Sequence, residues 1–302
     1  MPRILHAAAF VLAILAGNAV AVGAYPPQLP GAVPLVYETY GAVAMRLWVF
    51  NPEGHNLSEQ RPAVVLFFGG GWNRGSPEQF ERHARYLASR GIVAAVADYR
   101  VGSRHESSPM DSMTDGCAAV RYLRANALRL GIDPQRIGAG GGSAGGQIAA
   151  SIATADLFRR DGEVSCVPDA LVLFNPVYDN GPTGYGHGRV KRYWEQISPL
   201  HNIHAPMPPS VTLLGSDDKL IPVATAREWQ RRVEAAGGRA DVHIYDGARH
   251  GFFNKTAYYA ETVATMDRFL ASLGWLEGEP TVAKPSDSAE GRGKRERTTR
   301  VD

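Results

Sequence analysis

Six short, nearly unbroken apolar runs recur between residues 63 and 245: AVVLFF (63–68), IVAAVA (92–97), RIGAGG (136–141), ALVLF (170–174), SVTLL (210–214) and DVHIY (241–245). Because they are apolar at successive rather than alternate positions, they predict strands covered on both faces, the pattern of a parallel sheet between two helix layers. An earlier stretch, Val33 to Gly54, alternates in part and breaks near Gly41, which predicts an antiparallel hairpin. Helical segments fill the intervals. Ser76-Pro77-Glu78-Gln79 combines an N-cap, a proline at the first helical position and a capping-box partner, and Gly91 closes that helix. Residues 109–129 and 223–236 are further helices, the second stopped by Gly237-Gly238. Strand followed by helix throughout places residues 25–276 in one α/β domain, with a mostly parallel central sheet, helices on both faces and an N-terminal hairpin.

The two ends depart from this pattern. Residues 1–24 carry Arg3 followed by an apolar run of only about ten residues, short of the ~20 that a spanning helix needs. With small residues before Ala21 and Ala24, either of which suits cleavage, the segment reads as a signal peptide, and the protein is expected to be secreted or periplasmic with no membrane attachment afterwards. Residues 277–302 are polar and lack periodicity, so a disordered tail is expected there.

Composition narrows the partners. The chain has 302 residues, of which 44% are hydrophobic and 21% charged, an ordinary globular balance. Its 32 basic and 30 acidic residues leave a formal charge of +2, too small for a surface that tracks phosphates, so no nucleic-acid partner is expected. The two cysteines, Cys117 and Cys166, permit either one disulfide or two buried thiols, and neither has a metal-ligand spacing.

The candidate chemistry centres on GAGGGSAGGQ (138–147), which fits two incompatible motifs. From Gly140 it fits G-x-G-x-x-G, a dinucleotide loop; from Gly141 it fits G-x-S-x-G, with Ser143 on a tight turn that presents a nucleophile. The dinucleotide loop belongs after the first strand and needs an acid ending a strand about 20 residues on. Here several strands come earlier, and Asp156 and Asp161 end none. The nucleophile motif needs a strand before it and a helix after it, which RIGAGG and QIAASIATA supply.

A nucleophilic serine needs a base and an orienting acid. Asp217 and Asp218 follow the strand at 210–214, and His250 lies in the loop after 241–245, so all three positions converge on the carboxyl edge of the sheet. Of the two acids Asp218 is preferred. Developing negative charge on an ester oxygen would be met by the amides of Gly70 and Gly71, in FFGGGW (67–72), and of Ala144. No metal or organic cofactor is required for this chemistry.

With GGGW, ADYR (97–100), GAGGGSAGG, GSDDKLIP (215–222) and GARHGFF (247–253) in view, the chain resembles the α/β-hydrolase fold esterases, in the group of hormone-sensitive-lipase-like and bacterial acetyl, acetylxylan and feruloyl esterases. The resemblance runs from about Val33 to Trp275. It implies Ser143 as nucleophile, His250 as base and then acid, Asp218 as orienter because it stands four residues before Pro222, and structural roles for Asp98 and Arg100. Two positions depart from the family pattern: Phe68 replaces the histidine of H-G-G-G, and Gln147 stands where a histidine often follows G-G-S-A-G-G. The segment 178–204 is polar and glycine-rich, unlike an apolar lid, so short acyl groups on a bulky alcohol such as a carbohydrate are the expected small-molecule substrates. Trp72, Tyr185 and Trp194, with Tyr193, are candidates for a platform under that alcohol. An amidase or peptidase on the same residues, or a non-catalytic binding protein on the same fold, are the competing expectations.

Overall fold

The computed structural model describes residues 25–160 and 162–282. The expected signal peptide and residues 283–302 of the expected tail lie outside the described residues. Eight strands form one sheet: β1 Val33–Tyr40, β2 Val43–Phe50, β3 Arg61–Phe67, β4 Val93–Ala97, β5 Ile132–Gly142, β6 Ala170–Phe174, β7 Ser210–Gly215 and β8 Ala240–Tyr245. Their order across the sheet is β1-β2-β4-β3-β5-β6-β7-β8. The first two pairings, β1 with β2 and β2 with β4, are antiparallel; from β4 through β3 to β8 every neighbour is parallel.

Alternation within each strand divides the core in two. Ala63, Val65 and Phe67 of β3 face one layer while Val64 and Leu66 face the other. The first layer holds three helices: α2 (Pro109–Ala125), α3 (Ala144–Thr154) and α4 (Val223–Ala235), through residues such as Val120, Ile148 and Trp229. The second holds α1 (Glu81–Ser89) and α5 (Thr256–Ser272), through Leu87, Met266 and Leu270. This burial on both faces is why β3, β4 and β6 are apolar at nearly every position, whereas the edge strand β8, expected to be covered on both faces, is partly exposed and alternates, with His243 in solvent. Among the described residues no helix is long and apolar enough to cross a membrane.

Local signals account for most boundaries. Ser108 and Asp111 exchange capping hydrogen bonds at the start of α2, and the segment expected as one helix over 109–129 divides at Asn126, with a separate turn Ala127–Leu130 ended by Gly131 at φ 62°. At Ser76 the expected capping box is not formed. Ser76 Oγ accepts from the Glu78 N–H, but the Gln79 side chain turns away and takes the Gly69 N–H at 2.6 Å. A half-buried loop amide has no other partner there, and leaving it unmet costs more than an exposed cap gains. Helix α5 begins after Lys255 with no side-chain cap, so its start carries no sequence signal.

Two expectations at the ends and between the cysteines are decided by packing. Residues 277–282, expected to open the tail, are held on α1: Arg90 donates to the Glu277 and Gly278 carbonyls, and the Thr281 N–H donates to Tyr86 Oη. Cys117 on α2 and Cys166 ahead of β6 are joined in a disulfide across 49 residues. Of the two alternatives left open by the sequence, buried free thiols are therefore excluded. A loop of this length restricts the unfolded chain by about 4 kcal/mol, so reduction under mild denaturant should lower the urea midpoint measurably, while Cys117→Ser should reproduce the loss without reductant.

His83 on α1 is buried among Phe80, Phe174, Phe253 and Tyr259, and neither ring nitrogen has a partner. Burial, with Arg82 adding to it, pushes its imidazole down to about 3. A folded-state value below the unfolded reference of ~6.5 means that stability is complete above that pH and is lost as pH falls toward 3, by up to about 1.4 kcal/mol per unit. Urea denaturation at pH 7.5 and 4.5 should show a smaller acid loss for His83→Leu than for the unsubstituted chain.

Candidate active site

Strand β5 ends in a turn whose geometry leaves no alternative to glycine on either side. A Cβ on Gly145 would overlap the Phe67 and Phe68 carbonyls, and one on Gly141 would overlap Phe67 O and the Gly145 backbone. Between them Ser143 takes φ 54°, ψ −117°, a conformation that an L-residue adopts only when its surroundings impose it. The constraint is visible in the backbone: the Ser143 N–H donates to Phe174 O at 2.9 Å, and Ser143 O accepts from Gln147 N at 3.0 Å. The side chain is thereby raised above the carboxyl edge of the sheet.

The loops after β7 and β8 reach the same edge. His250 Nε2 lies 2.9 Å from Ser143 Oγ, and Nδ1 lies 2.7 Å from Asp218 Oδ2. The Asp218 side chain is wholly buried, and its other oxygen accepts from the Leu220 and Ile221 N–H groups at 2.8 and 2.9 Å. With a carboxylate on Nδ1, that nitrogen carries the proton and Nε2 is left to accept from the serine hydroxyl. Asp217, the other candidate acid, takes no part in this chain of contacts. The structure thus brings together the three residues singled out from the sequence.

The three candidate amides lie on the same edge. Gly70 has φ 130° and its Cα faces the Arg74 carbonyl so closely that no side chain fits; Gly71 follows at φ 62°. Among the described residues the N–H groups of Gly70, Gly71 and Ala144 reach no protein acceptor, whereas the neighbouring Gly69 N–H is taken by Gln79. Gly70 and Gly71 line the cleft together with Ser143, and these amides, with that of Ala144, are available to an incoming acceptor.

Phe68, which stands in place of the expected histidine, is buried and stacked on Tyr99 at 4.0 Å between centroids, and Tyr99 Oη donates to Phe68 O at 2.7 Å. Loop support comes from four other side chains: Tyr99, Gln79, Arg104 on Gly75 O at 2.7 Å, and Arg189 on Gly71 O at 2.6 Å. Asp98 and Arg100 are structural, as the resemblance implies. Asp98 accepts from Tyr25 and from the Tyr99 N–H, and burial raises its carboxyl above the usual range; Arg100 forks onto Asp115.

Gln147 has a definite task. It is buried and its amide pairs with that of Asn180, which in turn donates to Tyr185 O at 2.9 Å. Together with the Ser151 hydroxyl on Ile197 O, this pins the segment 178–204 to α3. The segment therefore touches the nucleophile's helix near both of its ends, at Asn180 and Ile197, and the glycine loop from its middle, through Arg189.

Of the expected aromatic platform, only Tyr185 lines the cleft around Ser143. Trp72 is buried at φ 58°, turned inward under Gly186 and the Arg189 guanidinium, which lies 4.8 Å from its ring. Trp194 packs edge-on against His201 at 5.0 Å and, with Tyr193, borders a separate small hollow. The left-handed turn through Gly71 and Trp72 sends the indole into the core, which residue type alone does not reveal. The cleft itself encloses about 360 Å³, and its wall sets Asn73, Arg74, Asn175 and Asn254 beside Leu220 and Phe253. Asn175 was not anticipated from the sequence: at φ 36° it accepts from the Gly251 N–H at 3.0 Å, bracing the residue after His250. Its one sequence signal is its place at the end of β6, the same edge as the other site residues.

The family model described as alpha/beta hydrolase fold matches residues 64–254. The chain belongs to the α/β-hydrolase fold family. Among solved structures of this fold, esterase 2 of Thermogutta terrifontis, phosphoramylated by tabun, is 38% identical and superposes with a TM-score of 0.80 over 85% of this chain and all of that one. Carboxylesterase NlhH of Mycobacterium tuberculosis is 40% identical over 99 residues, 32% of this chain and 30% of its own. An acetylxylan esterase of Xylanibacter ruminicola is 26% identical over 248 residues, 76% of this chain and 47% of its own. The chain thus spans less than half the length of either curated relative.

Within this hydrolase fold the turn at Ser143 admits a direct check. Gly145→Ala must push the β3 carbonyls aside, and a loss of about 3 kcal/mol or more in urea unfolding is expected; an unchanged midpoint would contradict the packing described above.

Proposed function

We propose that the chain is an exported serine carboxylic-ester hydrolase that works through an acyl-enzyme on short-chain, chiefly acetyl, esters of bulky alcohols such as carbohydrates. The observation that carries this reading is the unbroken contact chain Ser143–His250–Asp218 beside three free amides. As Ser143 Oγ bonds to the ester carbonyl carbon, its proton passes to His250 Nε2, and the carbonyl oxygen, now negative, accepts from Gly70, Gly71 and Ala144. Collapse breaks the bond to the alcohol, which leaves with the His250 proton. Water then repeats the sequence on the acyl-enzyme: its proton goes to His250, its oxygen bonds to the acyl carbon, and Ser143 Oγ recovers the proton as it leaves. Asp218 keeps the imidazole oriented and balances its transient charge.

The acyl and alcohol preferences rest on the cleft. A space of about 360 Å³ with amide and guanidinium groups on its wall suits a small acyl group and a polar alcohol better than a long hydrocarbon. Similarity to esterases, one of them named for acetylxylan, supports the same class. Export is supported by residues 1–24 as a signal peptide and by the Cys117–Cys166 disulfide, a bond that persists in oxidising compartments.

Hydrolysis of p-nitrophenyl acetate by the processed protein should fall at least about ten-thousandfold in Ser143→Ala while the thermal melt is retained. Equal rates would remove Ser143 from the chemistry. Across p-nitrophenyl esters kcat/KM should decline from acetyl to decanoyl; a rise toward decanoyl would refute the short-acyl assignment.

A further inference from the structure

The cleft around Ser143 is one-sided in charge. Arg74 and Arg189 line it, and no aspartate or glutamate does, Asp218 being buried behind His250. Among the described residues neither guanidinium is paired with a carboxylate. Arg74 is exposed, and its backbone is fixed by N–H donation to Gly70 O at 3.2 Å, so the side chain starts from a constrained point at the cleft rim. Arg189 is anchored through one nitrogen on Gly71 O and lies over Trp72 and Tyr185, which leaves its remaining donors uncommitted.

A second cavity, of about 300 Å³, lies across Tyr185 and Leu220, which border both spaces. Its charged walls are Lys219 and Asp179. Asp179 is already engaged, its Oδ1 accepting from Gly181 N at 2.6 Å and lying 3.9 Å from His201 Nδ1. Lys219 is exposed and, among the described residues, unpaired. From the serine outward the route therefore passes three cations, Arg189, Arg74 and Lys219, against one carboxylate, Asp179, a local excess of positive charge. The whole chain carries only +2, so this local excess is not a reflection of overall composition.

We propose that the two cavities form one extended site for an ester whose alcohol portion carries carboxylates, as an acylated uronate-bearing carbohydrate does. Arg74 and Lys219 are its specificity-determining residues. Guanidinium groups pair with carboxylates by two parallel hydrogen bonds, which orients the alcohol as well as attracting it. The proposal rests on the esterase reading above and adds the charge of the substrate to it.

Two esters with the same acetyl group separate these ideas: 4-acetoxybenzoate, anionic, and its neutral methyl ester. The ratio of their kcat/KM values at low ionic strength is measured for the unsubstituted protein, Arg74→Gln, Lys219→Gln and, as a control for total charge, Arg129→Gln on a remote exposed face. The ratio should fall about threefold to tenfold in Arg74→Gln or Lys219→Gln, stay level in Arg129→Gln, and decline as salt is added. Turnover of both esters with a ratio that neither cleft variant changes, or that Arg129→Gln changes as much, overturns the anionic site alone. Failure to hydrolyse either ester or p-nitrophenyl acetate overturns this proposal together with the esterase reading.

Discussion

The site depends on a close approach of backbones. The turn after β5 sits so near the end of β3 that Gly145 touches the Phe67 and Phe68 carbonyls, and only the absence of a Cβ permits it. That contact holds Ser143 at a positive φ and directs its hydroxyl away from the sheet. It also sets the distance between Ala144 and the Gly70–Gly71 loop, which begins where β3 stops. One packing constraint thus positions the serine and the amides together, and parallel neighbours in the sheet carry Asp218 and His250 to the same edge.

Around this turn the molecule replaces a familiar support with several smaller ones. Phe68 cannot hydrogen-bond through its side chain, yet its carbonyl is held by Tyr99, the next amide by Gln79 and the Gly71 carbonyl by Arg189. These donors and acceptors come from separate elements, so the glycine loop is fixed by the packing of the turn Pro77–Phe80 ahead of α1, of the residues after β4 and of the segment 178–204. The last of these is itself tied to α3 by the Gln147–Asn180 pair. Movement of that segment would be felt both at the helix behind Ser143 and at the free amides, because buried polar pairs have few alternative arrangements.

Much of the architecture was legible because strands buried on both faces are apolar at nearly every position, as the runs in β3, β4 and β6 are, while β8 at the sheet edge keeps Asp241 and an exposed His243. The serine turn was legible because glycine at two fixed offsets has a steric cause. The capping box at Ser76 was misread for a related reason: Gln79 fits the local rule, but a loop amide brought near by folding competes for it and wins. Trp72 was misplaced because an aromatic residue in a glycine-rich loop looks the same whether its ring faces a cleft or the core, and Trp194 because the short helical turn it opens borders a different hollow.

What the sequence determined by itself is whatever depends on short-range geometry: the periodicity of strands and helices, the Gly141-Ser143-Gly145 turn, and the chain order of serine, acid and histidine. The tertiary structure alone brought Asp218 against His250, joined Cys117 to Cys166, placed Gln79 and Arg189 on the glycine loop and left Arg74 and Lys219 unpaired beside the cleft. Those outcomes depend on which groups meet across tens to more than a hundred residues. Side-chain partners at that separation are chosen by burial and by the need to satisfy each buried donor and acceptor, conditions that exist only once the layers have packed.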